Sequence, residues 1–165
     1  MIGQALVDAL NEQLKHELYS SYLYLAMSAY CDDQNLPGFA HWMRVQAEEE
    51  REHAMKFYDF ILDRDGRVTL PALQQPPRDF GTPIDVFEQV LAHEQEITSL
   101  IEQLYRKARA EQDHATEIFL EWFISEQVEE EKTASDILAT LRLGGDSNVA
   151  LLMLDRELAG RAAAA

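Results

Sequence analysis

Read at steps of three and four residues, four stretches of this chain carry the buried stripe of an amphipathic helix. The first stripe is Leu10, Leu14, Glu17, Ser21, Tyr24, Ser28, and the second is Phe39, Met43, Gln46, Glu50, His53, Phe57, Phe60. The third is Phe87, Leu91, Glu94, Ile97, Ile101, Leu104, and the fourth is Thr116, Leu120, Phe123, Gln127, Glu130, Ala134, Ile137, Leu141. Each is interrupted by Glu, Gln or His where a core position calls for an apolar side chain. An unpaired carboxylate loses its hydration on burial, which is costly. No Lys or Arg lies on these stripes to neutralise Glu17, Glu50, Glu94 and Glu130. A bound cation is the simplest physical remedy.

The pattern predicts an all-α chain. Four long helices run roughly from Ala5 to Asp33, Gly38 to Asp65, Pro83 or Ile84 to Glu111, and His114 to Arg142. A short fifth runs from Asp146 or Ser147 to Leu158. The 165 residues make one domain, with the bundle over about 5–142 and the short helix over about 147–159. Thr82-Pro83-Ile84-Asp85 places a capping hydroxyl, a proline at the first helical position and an early acid in order. Asp113 is a cap for the fourth helix, Gly144-Gly145 stops it, and the tail from Gly160 is expected to fray.

Short joints around Gln34 to Pro37 and at Gln112-Asp113 make the first two helices antiparallel neighbours, and the last two likewise. The joint from Gly66 to Thr82, broken by Pro71, Pro76, Pro77 and Gly81, is of another kind. Extended, it reaches about 56 Å, against about 42 Å for a helix of the length predicted here. It therefore crosses the whole bundle and leaves the second and third helices parallel. Glu17, Glu50, Glu94 and Gln127 then lie near the midpoints of their helices, so the polar residues meet at one level.

Composition sharpens this. Thirty acidic residues against fourteen basic ones give a formal net charge of −16, which argues against nucleic acid as a partner and favours cations. No apolar run is long enough for a membrane span. Asp8 and Glu12 sit inside the amphipathic pattern of the first residues, unlike a signal peptide. Cys31 is the single cysteine, which excludes an internal disulfide and a thiolate zinc cluster and fits a reducing cytoplasm.

Glu50 and His53 are spaced i, i+3 and project to the same side of their helix, and Gln127 and Glu130 repeat that spacing. Four carboxylates are balanced by two divalent metals, with His53 as a nitrogen ligand and Glu50 as a bridge. Oxygen-rich ligation with one imidazole suits iron or manganese better than copper or structural zinc. On position alone, Tyr24 reads as an edge residue of its helix, and Glu49, Glu126 and Glu129 read as solvated surface acids. His16, His41, His93 and His114 read as surface or partly buried residues without a metal role.

Over nearly its whole length the chain resembles the bacterial non-haem ferritins. The resemblance rests on Glu17 with Tyr19-Ser-Ser-Tyr-Leu-Tyr24, on Phe39-Ala-His-Trp42, on Glu48-Glu-Glu-Arg-Glu-His53-Ala, on Glu94, and on Glu126-Gln-Val-Glu-Glu130. It implies a ferritin-like four-helix bundle and a ferroxidase centre. Glu17, Glu50 and His53 would hold the first iron, and Glu50, Glu94 and Glu130 the second. Gln127 would stand beside the second iron, and Tyr24 would hydrogen-bond there or supply an electron. Glu49, Glu126 and Glu129, with Glu130 shared, match a third iron site.

The resemblance also implies oxidation of Fe(II) by O2 or hydrogen peroxide, with storage as a ferric oxyhydroxide mineral inside a 24-subunit shell. The fifth helix, through Val149, Leu152, Met153 and Leu158, would surround the four-fold axes, or alternatively cover its own bundle. Glu117 and Glu121 would line three-fold channels, although Leu120 stands where some ferritins have a further acid. No haem is expected: Arg51 follows the bridging Glu where bacterioferritin has its haem-binding Met, and the fourth helix carries Gln127-x-x-Glu130 where bacterioferritin has a second Glu-x-x-His. The rival readings are a soluble di-iron oxidase or peroxidase that stores no mineral, and a non-enzymatic interaction bundle, which would have no carboxylates on its seam.

Overall fold

The computed structural model describes residues 1–163; the last two alanines of the tail expected to fray lie outside the described residues. Five helices follow in order: α1 (Gln4–Asp33), α2 (Pro37–Asp63), α3 (Pro83–Ala110), α4 (His114–Gly144) and α5 (Asn148–Leu158). The described residues contain no strand. The predicted starts hold for physical reasons. Thr82 and Asp85 form a reciprocal capping box at α3, Asp113 accepts from Thr116 N at α4, and Ser147 accepts from Ala150 N at α5. The exits of α1, α2 and α3 turn through non-glycine residues in the left-handed region, at Asn35, Asp65 and Gln112. The short polar side chains of Asn35 and Asp65 tolerate that conformation better than bulky ones.

Hydrogen bonds trace the crossover along α1. It begins where Asn11 binds the Arg67 carbonyl at 2.9 Å and Thr69 N at 2.8 Å. It ends where the Tyr30 hydroxyl donates to the Gly81 carbonyl at 2.7 Å. Asn11 and Tyr30 are about 28 Å apart along a helix, so the segment returns the chain across the bundle and leaves α2 and α3 parallel.

The core is divided in two. One apolar cluster contains Met27, Phe39, Trp42, Met43, Phe87, Val90, Ala134 and Leu138. The other contains Leu10, Leu14, Ala54, Phe57, Ile97, Ile101, Leu120 and Phe123. On every long helix the acidic residues of the stripe, together with His53 and Gln127, fall between the two. Leu120 is wholly buried within the subunit, so between Glu117 and Glu121 it faces the core and not a channel.

The fifth helix has two faces. Leu154 and Leu158 join the first cluster, while Val149, Leu152 and Met153 remain exposed. Leu158, expected at a shell axis, therefore covers its own bundle, and the other three stay free for a neighbour. The helix is latched by Asp155, whose Oδ1 accepts from Gly38 N at 2.9 Å and Phe39 N at 3.0 Å. These are unsatisfied N–H groups in the first turn of α2, which has no side-chain cap of its own, and a carboxylate is favoured there. The tail does not fray at once: Arg161 is docked on α2.

Candidate metal centre

All four long helices contribute to one polar layer. Glu17, Glu50 and Glu94 are buried to 2% exposure or less, and His53, Gln127 and Glu130 are also buried. Donor atoms of Glu17, Glu50 and His53 lie within 4.8 Å of one another, as do those of His53, Glu126 and Glu130. His53 thus belongs to both groups. Its Nδ1 is 3.3 Å from Glu50 Oε2 and 4.0 Å from Glu17 Oε2. The i, i+3 spacing delivers this contact, because one turn of α2 stacks the imidazole beside the carboxylate.

Hydrogen bonds to the layer come from neutral groups. Gln13 Nε2 donates to Glu17 Oε1 at 2.8 Å. Gln46 Nε2 donates to both Glu50 Oε1 at 3.1 Å and Glu130 Oε2 at 2.9 Å, joining α2 to α4. Glu94 stands outside both donor groups, because the Tyr24 hydroxyl donates to one of its oxygens and Gln127 Nε2 to the other. Among the described residues no Lys or Arg bonds to any of the four carboxylates. Glu17 Oε2 is buried with no hydrogen-bond partner. Such an atom is expensive unless something outside the chain completes it.

The electrostatics follow from burial. Burial raises the carboxyl pKa of Glu17, and the charge of Glu50 raises it further. Glu50 is raised by burial and then by Glu94 and Glu130. Glu94 is raised by burial, and Glu130 is pushed up to about 7 by burial and by Glu94. A bound metal ion displaces the protons of crowded carboxylates of this kind into solvent.

Tyr24 is fully buried, not at a helix edge. The His93 ring meets its ring edge-on at 5.8 Å and binds Ser20 Oγ at 2.7 Å. Burial takes the His93 pKa down to about 4, so this support is neutral. His16 and His93 are half-buried, and His41 and His114 are exposed. Of the three acids matched to a third iron, Glu49 and Glu126 are half-buried and Glu129 is exposed; Glu126 alone belongs to a donor group, and Glu49 and Glu129 are in neither.

Sequence reading gave no role to three contributors. Gln13 and Gln46, the latter already on the second stripe, each lie four residues before a buried Glu on the same face, so that repeat was available as a signal. Arg161 gave no local signal: it reaches Gln46 and Glu49 across more than a hundred residues.

Residues 7–144 match the ferritin-like domain family. A bacterial non-heme ferritin of Staphylococcus saprophyticus is 43% identical over 164 residues, covering 98% of this chain and 96% of that one. One of Bacteroides fragilis is 41% identical over 161 residues, covering 98% of this chain and all of that one. An open-pore ferritin from the archaeon Archaeoglobus fulgidus superposes with a TM-score of 0.97 at 48% identity, covering 98% of this chain and 99% of its own.

Proposed function

This chain belongs to the ferritin family of iron-storage proteins, and from the polar layer we infer that it is a ferroxidase with a di-iron centre inside each subunit. One observation carries the reading: four buried carboxylates meet a histidine with no Lys or Arg among them, and one buried oxygen is left without a partner. Two Fe(II) ions are the substrate that neutralises this layer. Glu17, Glu50 and His53 would bind one, and Glu50, Glu94 and Glu130 the other, with Glu50 between them. Glu94 would be released from Tyr24 and Gln127 as the second ion arrives. Gln127 and Tyr24 would then be the hydrogen-bond donors nearest the reacting pair.

Each Fe(II) gives up one electron. O2 accepts two electrons and two protons to become hydrogen peroxide, or hydrogen peroxide accepts them to become two waters. The apolar clusters above and below exclude bulk water and strengthen these electrostatic interactions. A third cation would be taken beside the layer by Glu49, Glu126 and Glu130, with Glu129 on the same stretch of α4. The ferric product would be stored in a shell of 24 subunits, to which the exposed face of α5 contributes. Among the described residues no helix is long and apolar enough to cross a membrane. We place the protein in the cytoplasm, where the thiol of Cys31 stays reduced.

The test is a large excess of Fe(II) added in air, followed by gel filtration. Iron far beyond a few atoms per chain, eluting with a very large assembly, supports storage at a working centre. Two or three per chain on a small oligomer would favour a di-iron oxidase that stores nothing.

A further inference from the structure

The C-terminal tail returns to the edge of the polar layer and leaves a guanidinium there. Arg161 Nη2 is 2.6 Å from Glu49 Oε2 and 2.8 Å from Gln46 Oε1, and Nη1 donates to the Trp42 carbonyl at 3.2 Å. The guanidinium lies over the Trp42 indole, 4.4 Å from the ring centroid. His41 Nε2 holds the Arg161 carbonyl at 2.8 Å. The Arg161 and Glu49 side chains are each 20% exposed. A guanidinium held by three hydrogen bonds, one of them to Glu49, and by a stacked face is better ordered than one in a free surface ion pair.

We propose that Arg161 is the resident cation of the Glu49 carboxylate, and that the tail must be displaced before Glu49 can bind a third metal. This rests on the reading of a third cation site given above. A divalent metal on Glu49 would lie beside the positive charge of Arg161, and two cations held on one carboxylate repel each other, so the two compete.

The competition also reaches the di-iron layer. Arg161 occupies the Gln46 amide oxygen, which obliges the amide nitrogen to face Glu50 and Glu130. When the tail leaves, that oxygen is freed and the amide is no longer held in one orientation. Occupancy of the outer site is thereby linked to the donors around Glu50 and Glu130. By reciprocity, metals in the inner pair change the tail's hold on Glu49.

The experiment titrates Zn2+ into the assembled, metal-free protein by calorimetry, for wild type, R161A, R161K and E49A. Amide hydrogen exchange of residues 159–163 is followed in parallel. In R161A the third Zn2+ per chain should bind at least about tenfold more tightly, the equilibrium worth of one charge-assisted hydrogen bond. R161K should lie between R161A and wild type, because it keeps the charge without the fork. E49A should bind two Zn2+ and lose the third. In wild type, binding of the third Zn2+ should deprotect the tail amides.

A third Zn2+ that binds R161A no more tightly than wild type, or that leaves the tail protected, overturns the competition while sparing the third site. A third Zn2+ retained by E49A removes Glu49 from the site and overturns the proposal. A titration that ends at two Zn2+ in wild type and R161A alike overturns the third-site reading itself, and the proposal with it.

Discussion

The metal-free centre should weaken the fold at neutral pH, and Glu130 allows the effect to be measured. It is 8% exposed, and burial followed by the charge of Glu94 raises its pKa from 4.5 to about 7. In the unfolded chain this carboxyl loses its proton near 4.5; in the folded protein it does so only near 7. Between those values the native state holds a proton that the unfolded state has already released. Stability is therefore highest below the lower value and is lost as pH rises through the higher one. The full shift corresponds to about 3 kcal/mol per subunit.

Glu130→Gln removes this cost while keeping the size of the side chain and an oxygen to accept from Gln46. At pH 8 the metal-free variant should melt about 6–12 °C above metal-free wild type, at roughly 2–4 °C per kcal/mol for a chain of this size. At pH 5 the gain should shrink to below about 1 kcal/mol. Saturating Zn2+ should close the gap at pH 8 by stabilising wild type more than the variant. Differential scanning calorimetry at fixed protein concentration reads all three. An equal Tm shift at both pH values, or wild type and variant melting together at pH 8, would refute the claim that Glu130 is buried against its charge.

Three further outcomes are expected. Glu50→Ala should abolish rapid Fe(II) oxidation in stopped-flow, since both metals lose a ligand; a wild-type rate would sink the site assignment. Gly38→Ala places a Cβ into the backbone of Asp155. It should loosen α5 at a cost of about 1–3 kcal/mol and reduce assembly on gel filtration; intact shells with an unchanged Tm would show that the latch does not matter. Asp113→Ala removes the cap of α4 and the two-pronged pair with Arg64, both bonds at 2.9 Å. It should cost about 1–2 kcal/mol in urea unfolding. The Asp113 pKa is held well below its usual value, first by Arg64. That contribution is present above the ordinary carboxylate range and disappears as pH falls through the lowered folded value, so the variant should lose less stability than wild type under acid.

What could be read from the chain was what local periodicity encodes. A helix of fixed pitch turns a 3.6-residue pattern into a buried face. Glu17, Glu50, His53, Glu94, Gln127 and Glu130 were legible because each stands on such a face, and their common level followed from helix lengths and connections. The caps at Thr82, Asp113 and Ser147 were legible because a cap and the N–H it binds are three residues apart. Contacts between distant segments leave no such periodic trace. Asp155 caps α2 from 116 and 117 positions away, and Arg161 holds Gln46 and Glu49 from 115 and 112. Leu158 and the exposed residues of α5 look alike as apolar positions, and only the angle at which the helix docks separates them. Tyr24 reads as an edge residue until Glu94 and His93 from α3 close over it. Periodicity tells which side of a helix is buried; the folded chain alone supplies the partner that meets it there, because that partner is chosen by three-dimensional packing and not by neighbours in sequence.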